Sequence, residues 1–113
     1  MNKNRRKRLL SVVDSLEGLS EETAKEEMED VLQTSQEEVE QIADEEQEAL
    51  DSLPENMQFS QRAEDMTDNI SDLQDASAEL ETALEEYQEN ADFDDIEDNV
   101  SSAVESINNA IER

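Results

Sequence analysis

The sequence predicts an all-α protein, an antiparallel helical hairpin or coiled coil whose short N- and C-terminal helices pack back into a three- or four-helix bundle. Two observations support this fold class. Apolar residues recur at alternating steps of three and four, which is the period of packed helices. The chain also has one Gly, one Pro and 3% aromatic residues, too few for a bulky core of mixed elements. At 113 residues it forms one domain, residues 1–113.

The N-terminal region predicts a short basic helix over residues 3–17 with three apolar residues on one face. Gly18 stands where a helix end favours glycine, and Ser20 stands where the next helix favours an N-cap. We therefore expect a long second helix over 20–53. A single helix kinked at Gly18 is the alternative. The apolar face of the short helix consists of Leu9, Val13 and Leu16.

A strong break, "SLPENMQFS" at 52–60, separates two heptad patterns. Pro54 cannot continue a helix and Ser60 is a good N-cap, which predicts a turn over 54–59 and a long helix over 60–90. The first seam is Met28, Leu32, Ser35, Val39, Ile42, Glu46, Ala49 and Leu53, and the second is Ala63, Met66, Ile70, Leu73, Ser77, Leu80, Leu84 and Tyr87.

The segment "NADFDDIEDN" shifts the heptad phase and predicts a C-terminal helix over 94–112, capped by Asp92 or Asp94. Its apolar stripe is Ile96, Val100, Ala103, Ile107 and Ala110. The same segment fails as a calcium loop, because Glu97 replaces the required glycine and Ala103 stands where a bidentate glutamate belongs.

The composition predicts a non-enzymatic protein without cofactor or metal. There is no histidine and no cysteine, so the usual general base, metal ligand and thiol nucleophile are missing. The absence of cysteine fits a reducing cytoplasm. Only Leu9 and Leu10 follow the basic start before Ser11 and Asp14, which is too short for a signal peptide or a membrane span. We expect a cytoplasmic protein that does not bind membranes.

The dominant feature is acidity, a net charge of −26 for the chain and −29 over residues 26–112. A hairpin of this sequence would carry about one negative charge per 2.3 Å, compared with about one per 1.7 Å in B-DNA. This predicts an inhibitor that mimics the charge of DNA and binds a protein with a basic groove, such as a host defence nuclease or DNA-binding protein. The acidic stripe proposed to make that contact is Asp65, Asp68, Asp72, Asp75, Glu79, Glu86 and Glu89.

Three other interpretations of the surface stay open. Acidic helices also keep proteins soluble, and adaptation to high internal salt produces a similar composition. A coiled-coil scaffold or adaptor that binds a partner or itself through its apolar seam is the alternative function. Few Glu residues have a Lys four positions away, so like-charge repulsion along the helices destabilises them. This uncompensated repulsion favours a partner that binds through charge.

The basic cluster opposes the dipole of its own helix, so it does not stabilise that helix locally. It can dock on the protein's own acids, bridge to a second copy, or touch nucleic acid, and the first two uses are favoured over direct nucleic-acid binding. The chain is expected to be a compact monomer or a homodimer. The cluster consists of Lys3, Arg5, Arg6, Lys7 and Arg8.

Smaller expectations concern the middle of the chain. Arg62 follows the turn and is expected to pair with Glu55 or Asp65. Four large apolar side chains are expected to serve core and turn packing, with a methionine-rich partner groove as the alternative. They are Met28, Phe59, Met66 and Tyr87.

"MNKNRRKRL" at the start and "DEEQEALDSLPENMQFSQRAEDM" at 44–66 resemble segments of short acidic proteins of phages and mobile elements of Firmicutes. The resemblance covers the first ten residues and the 44–87 region. It implies an accessory viral protein, a class that often inhibits host defence. The acidic surface is similar in kind to DNA-mimic antirestriction and anti-CRISPR proteins, although no sequence motif of those families is present.

Overall fold

The computed structural model describes residues 1–89 and 92–113, and these residues form four α-helices that pack into a bundle. The helices are α1 (Lys3–Glu17), α2 (Lys25–Asp51), α3 (Gln61–Gln88) and α4 (Phe93–Glu112). The predicted all-α fold is confirmed. The molecule measures 51 × 21 × 18 Å, so it is a slender rod.

Local hydrogen bonds determine where α1 and α2 begin. The Asn2 side chain accepts the N–H of Arg5 and caps α1. Ser20 does not cap α2, because its N–H donates to Thr23 Oγ1 and its hydroxyl accepts the N–H of Glu22. These bonds form a turn, and α2 begins only at Lys25, after Ala24, which has no side-chain oxygen to offer.

The connection between α2 and α3 is a turn that contains a 3₁₀-helix, Glu55–Met57. Ser60 is the N-cap of α3 and its Oγ accepts the N–H of Ala63 at 3.2 Å. At the other end α3 stops at Gln88; residue 90, the predicted end, lies outside the described residues. Asp92 precedes α4, and its N–H donates to Asp95 Oδ2 at 3.1 Å.

Neighbouring helices in the bundle are antiparallel. The α2–α3 pair is joined by Gln36 to Ser77 and, further along, by Glu46 to Asn69. Likewise, α3 and α4 are joined from Glu86 to Asn99 at one end and from Asp72 to Arg113 at the other. Helix α1 packs against α2 and α4 and closes the bundle.

The core is a continuous apolar cluster to which all four helices contribute. Each fully buried leucine or isoleucine in it stabilises the fold by roughly 1.5–3 kcal/mol relative to an exposed position. Four polar residues share this interior, so each needs a partner. They are Ser35, Glu46, Asn69 and Ser77.

The α2–α3 hairpin is longer than the rest of the bundle. Both α1 and α4 have their outer ends near Glu46 and Asn69, so residues 47–68 extend beyond them. We call residues 47–68 the tip. Met28 and Met66 are buried and Tyr87 packs on the core, as expected. The expected packing of Phe59 is wrong, because its side chain at the tip is 95% exposed.

Candidate partner-binding surface

Two of the five residues of the basic cluster, Arg5 and Arg8, form ion pairs with α2. Arg8 is the clearest example: its Nε donates to Glu38 Oε1 at 2.6 Å, and its Nη1 donates to Glu45 Oε1 at 2.7 Å. Hydrogen bonding to Arg8 holds the pKa of the Glu45 carboxyl below its usual range. Bonds to Glu45 and Glu38 in turn raise the pKa of Arg8. One guanidinium therefore bridges two carboxylates that lie seven residues apart on the same face of α2, and it offsets one of their two negative charges.

Arg5 enters a buried polar network centred on Glu46. The Glu46 carboxylate is fully buried and lies 3.2 Å from Arg5 Nη2 and 3.6 Å from the Met1 amino group. It also accepts a hydrogen bond from Asn69 Nδ2 at 3.0 Å. A buried carboxylate is strongly unfavourable without such partners, so the cations of α1 make this position in the seam tolerable.

The network continues to the C-terminus through Arg113. Its Nη1 donates to Asn69 Oδ1 at 3.1 Å and lies 2.7 Å from Asp72 Oδ2. Side chains from both terminal segments therefore meet the same pair of neighbouring positions on α2 and α3. Glu46 and Asn69 at the centre bond to each other and contact charged groups of both terminal segments, although Glu46 Oε1 accepts no hydrogen bond from the described residues.

The remaining basic residues differ from Arg5 and Arg8. Lys3 and Lys7 are exposed, and Arg6 is half-buried. None of these three, nor Arg62, forms an ion pair with the residues that the structure describes. The expected pairing of Arg62 with Glu55 or Asp65 is therefore wrong.

The acidic stripe expected on α3 divides into two lines. Asp65, Asp72, Glu79 and Glu86 are half-buried, whereas Asp68, Asp75 and Glu89 are exposed. Asp72 contacts Arg113, and Glu86 accepts a hydrogen bond from Asn99 Nδ2 of α4 at 3.2 Å. Asp72, Glu79 and Glu86 flank the seam on the side where α4 packs and are therefore largely unavailable to a partner. Asp65 lies in the tip, beyond α4.

Packing against α4 is unfavourable for the ionised form of Glu79. Burial, together with the negative charges of Asp75 and of Glu105 on α4, raises the pKa of the Glu79 carboxyl. One of its oxygens is buried without a hydrogen-bond partner among the described residues. Unlike Asp72, which pairs with Arg113, Glu79 thus has no cationic partner among the described residues at the α3–α4 interface.

A longer exposed line of acids lies on α2, and the sequence-based prediction did not include it. Its members follow one another at steps of three, four or seven, which places them on one face of the helix. The signal was present in this spacing, but the sequence does not show which face of α2 the other helices leave uncovered. We call this the α2 acidic line: Glu26, Asp30, Glu37, Glu40, Asp44, Glu48 and Asp51, all exposed.

Beside the α2 acidic line runs a polar groove between α2 and α3, with a volume of about 430 Å³. Glu40 and Asp44 line it from α2, and Glu81 lines it from α3. Its other lining residues are amides or small side chains, namely Gln36, Ala43, Gln74, Ser77 and Ala78. Carboxylates on two walls of one groove suit extended cationic side chains.

The charge that remains for a partner can be counted. Helices α2 and α3 contain 21 acids and two bases, and four of the acids are in ion pairs with α1 or Arg113. A net 15 negative charges then lie along ~42 Å, about one per 2.8 Å. This density is lower than that of B-DNA, about one per 1.7 Å, but of the same order.

The described residues offer neither a metal site nor a membrane span. They contain no group of three or more acidic side chains placed to hold a metal ion. Across the same part of the chain, every helix is too short or too polar to cross a bilayer. Comparison of the chain with protein-family models, curated proteins and solved structures gives no match.

Proposed function

We propose that this protein is a non-enzymatic inhibitor that occupies the nucleic-acid groove of a basic protein, with its α2–α3 face in the place of DNA. The observation that carries the proposal is the uneven use of charge. Cations of α1 pair with Glu38, Glu45 and Glu46, whereas the α2 acidic line stays exposed and without ion pairs among the described residues. Folding alone does not require this exposed excess, because it adds self-repulsion.

The shape of the charged face supports the same function. The α2 acidic line runs from Glu26 to Asp51, nearly the whole length of α2, and other faces of the same helix contribute buried residues to the core. Because the helix that carries these carboxylates is already folded, little backbone freedom is lost on binding, which favours affinity. It also produces an extended negative field that attracts a cationic groove from a distance.

The partner class follows from this chemistry and from the resemblance to phage accessory proteins. A nuclease or DNA-binding protein of a host defence system presents a long groove of Lys and Arg built for phosphates. Such a groove would meet carboxylates of the α2 acidic line at intervals of about 5 Å along the helix, except for one interval of about 10 Å between Asp30 and Glu37. The proposed inhibitor acts in the cytoplasm of the cell that holds the partner.

The test is capture and competition with the immobilised full chain in lysate of cells that naturally encode it. A partner bound through charge is expected to elute with excess duplex DNA and to be lost steeply between about 50 and 200 mM salt. The purified partner should then lose DNA binding when this protein is added. Retention of the partner at about 500 mM salt, with no effect of duplex DNA, would contradict the proposal and favour a scaffold that binds through apolar contacts.

A further inference from the structure

The tip of the α2–α3 hairpin presents one large apolar side chain to solvent. Phe59 is 95% exposed, whereas the other two aromatic residues, Tyr87 and Phe93, pack against the core. Single exposed apolar residues are common on proteins. Phe59 differs in its position, because it lies at the end of the rod, beyond α1 and α4.

The backbone that carries Phe59 is held in one conformation by hydrogen bonds on both sides. Met57 N–H donates to Pro54 O at 2.8 Å, and Ser60 donates to Met57 O through its N–H at 3.1 Å and its hydroxyl at 2.6 Å. Ser60 also caps α3. Because these bonds are present in the unbound chain, presenting the ring to a partner costs little further backbone order.

The ring also forms one wall of a cleft of about 340 Å³ at the start of α3. Gln58, Ala63, Thr67 and two acids, Glu64 and Asp68, complete this cleft. Across the whole tip there are six acids and one base, a net charge of −5. An exposed aromatic side chain therefore lies beside two carboxylates, Glu64 and Asp68, at one end of the acidic rod.

We propose that Phe59 is an apolar anchor that inserts into a hydrophobic pocket rimmed by Lys or Arg, at the edge of the partner's nucleic-acid groove. The inference rests on the proposed function and deepens it, because it assigns the specificity of the complex to the tip. Charge complementarity selects this occupant over a second copy of the chain, since two tips of −5 repel each other. A few buried aromatic anchors commonly supply most of the affinity of an interface, while charge contributes the rate of association.

The anchor can be located by photo-crosslinking in the cells that encode the protein. The full chain is prepared with p-benzoylphenylalanine in place of Phe59, and a matched chain carries it in place of Leu10, the other large apolar residue with an exposed side chain, on α1. We expect position 59 alone to crosslink to a nucleic-acid-binding protein, at a peptide lining an apolar pocket with a basic rim. Excess duplex DNA should abolish this crosslink.

Affinity measurements with that partner complete the test. Phe59→Ala should leave the unfolding midpoint unchanged, because the ring is exposed, and should weaken binding more than about tenfold through faster dissociation. The salt dependence should keep its slope, since no charge is removed. A crosslink from position 59 to a second copy of the chain would overturn the inference in favour of a dimer.

The inference and the proposed function can fail separately. If a photo-reactive group at Gln47 in α2 crosslinks to the DNA-competed partner while position 59 does not, the charge mimic stands and the anchor is wrong. Unchanged affinity of Phe59→Ala for the partner would likewise rule out the anchor alone. If no partner captured by either position is displaced by duplex DNA, the proposed function itself fails.

Discussion

Two interfaces of this bundle treat a carboxylate in opposite ways. Between α1 and α2, Glu46 is fully buried and is surrounded by Arg5, the Met1 amino group and Asn69. Between α3 and α4, Glu79 is half-buried near Asp75 and Glu105, and burial and their charges raise its pKa. The difference shows how the few cations are used. Arg5 and Arg8 pair with acids of α2, whereas Glu79 forms no ion pair with the described residues.

The largest effect is expected from removing the cation beside Glu46. Arg5→Met leaves a buried carboxylate with one cation fewer, and we expect the free energy of unfolding to fall by about 3 kcal/mol. Urea unfolding at pH 7 measures this change. Lys7→Met is the matched control, because it removes the same charge from an exposed position of α1 and should change stability by less than about 0.5 kcal/mol.

A double variant sharpens that result. Arg5→Met combined with Glu46→Gln removes both charges while keeping an oxygen that can accept the Asn69 amide. Most of the lost stability should return, because the penalty comes from the unpaired charge rather than from the missing contact. Additive losses in the double variant would show that Arg5 acts by packing alone.

A smaller effect is expected at Arg8, which lies closer to solvent. Arg8→Met should lower the free energy of unfolding by about 1 kcal/mol at pH 7, because its bonds to Glu38 and Glu45 are partly exposed. Since Arg8 lowers the pKa of Glu45, this stabilisation is complete above the ordinary carboxyl pKa and disappears as pH falls through the lowered value. Unfolding at pH 7 and in acid should show the difference shrinking, and an equal difference at both would refute the ionic assignment.

The opposite sign is expected at Glu79. Glu79→Gln removes like-charge repulsion at the α3–α4 interface and should raise the free energy of unfolding by about 0.5 kcal/mol at pH 7. Because the pKa of Glu79 is raised in the folded state, the wild-type protein regains stability as pH falls through that value. The advantage of the variant should therefore fade toward acid. A variant less stable than wild type at neutral pH would mean that Glu79 has a favourable partner.

The smallest effect is expected at Arg62, which forms no ion pair with the described residues. Arg62→Gln should change the free energy of unfolding by no more than a surface substitution does, within about 0.5 kcal/mol. Calorimetry at low salt provides the check. A clear loss would place Arg62 in the stabilising set with Arg5 and Arg8.

The sequence predicted the helical fold well because heptad spacing is a property of each segment by itself. The same spacing predicted which residues form the seam between α2 and α3, including the polar residue Glu46. The partner of Glu46 was not predictable from periodicity, because Arg5 reaches it only once α1 has docked antiparallel on α2. The start of α2 at Lys25 was not predictable either, because it depends on the hydrogen bonds that Ser20 and Thr23 form with the local backbone.

The candidate surface was harder to predict for a similar reason. The sequence does not distinguish the exposure of the acids beside the α3 seam. Asp72 and Glu79 are half-buried because α4 packs on their side of the helix, whereas Asp68 and Asp75 stay exposed. Phe59 looked like a residue for turn packing because most phenylalanines are buried. Its exposure follows from the tip extending beyond the helices that would have covered it.

The most direct test of the central claim measures the affinity of two variants for the captured partner that duplex DNA displaces. Each variant lacks four acidic charges, on a different face of the bundle. One variant carries Glu37→Gln, Glu40→Gln, Asp44→Asn and Glu48→Gln on the α2 acidic line. The other carries Glu97→Gln, Asp98→Asn, Glu105→Gln and Glu112→Gln, also exposed, on α4. Both lose four negative charges, three from Glu and one from Asp, so net charge does not distinguish them. Glu105→Gln also removes a negative charge that acts on Glu79, a change that should not lower stability.

If the α2 acidic line occupies a nucleic-acid groove, the first variant should bind at least about tenfold more weakly at low salt. Its affinity should also fall less steeply with salt concentration, because fewer ion pairs form in the complex. The α4 variant should keep the wild-type affinity and slope to within a few-fold. Equal losses in both variants would show that net charge alone drives the binding, and no loss in either would remove the α2 acidic line from the interface.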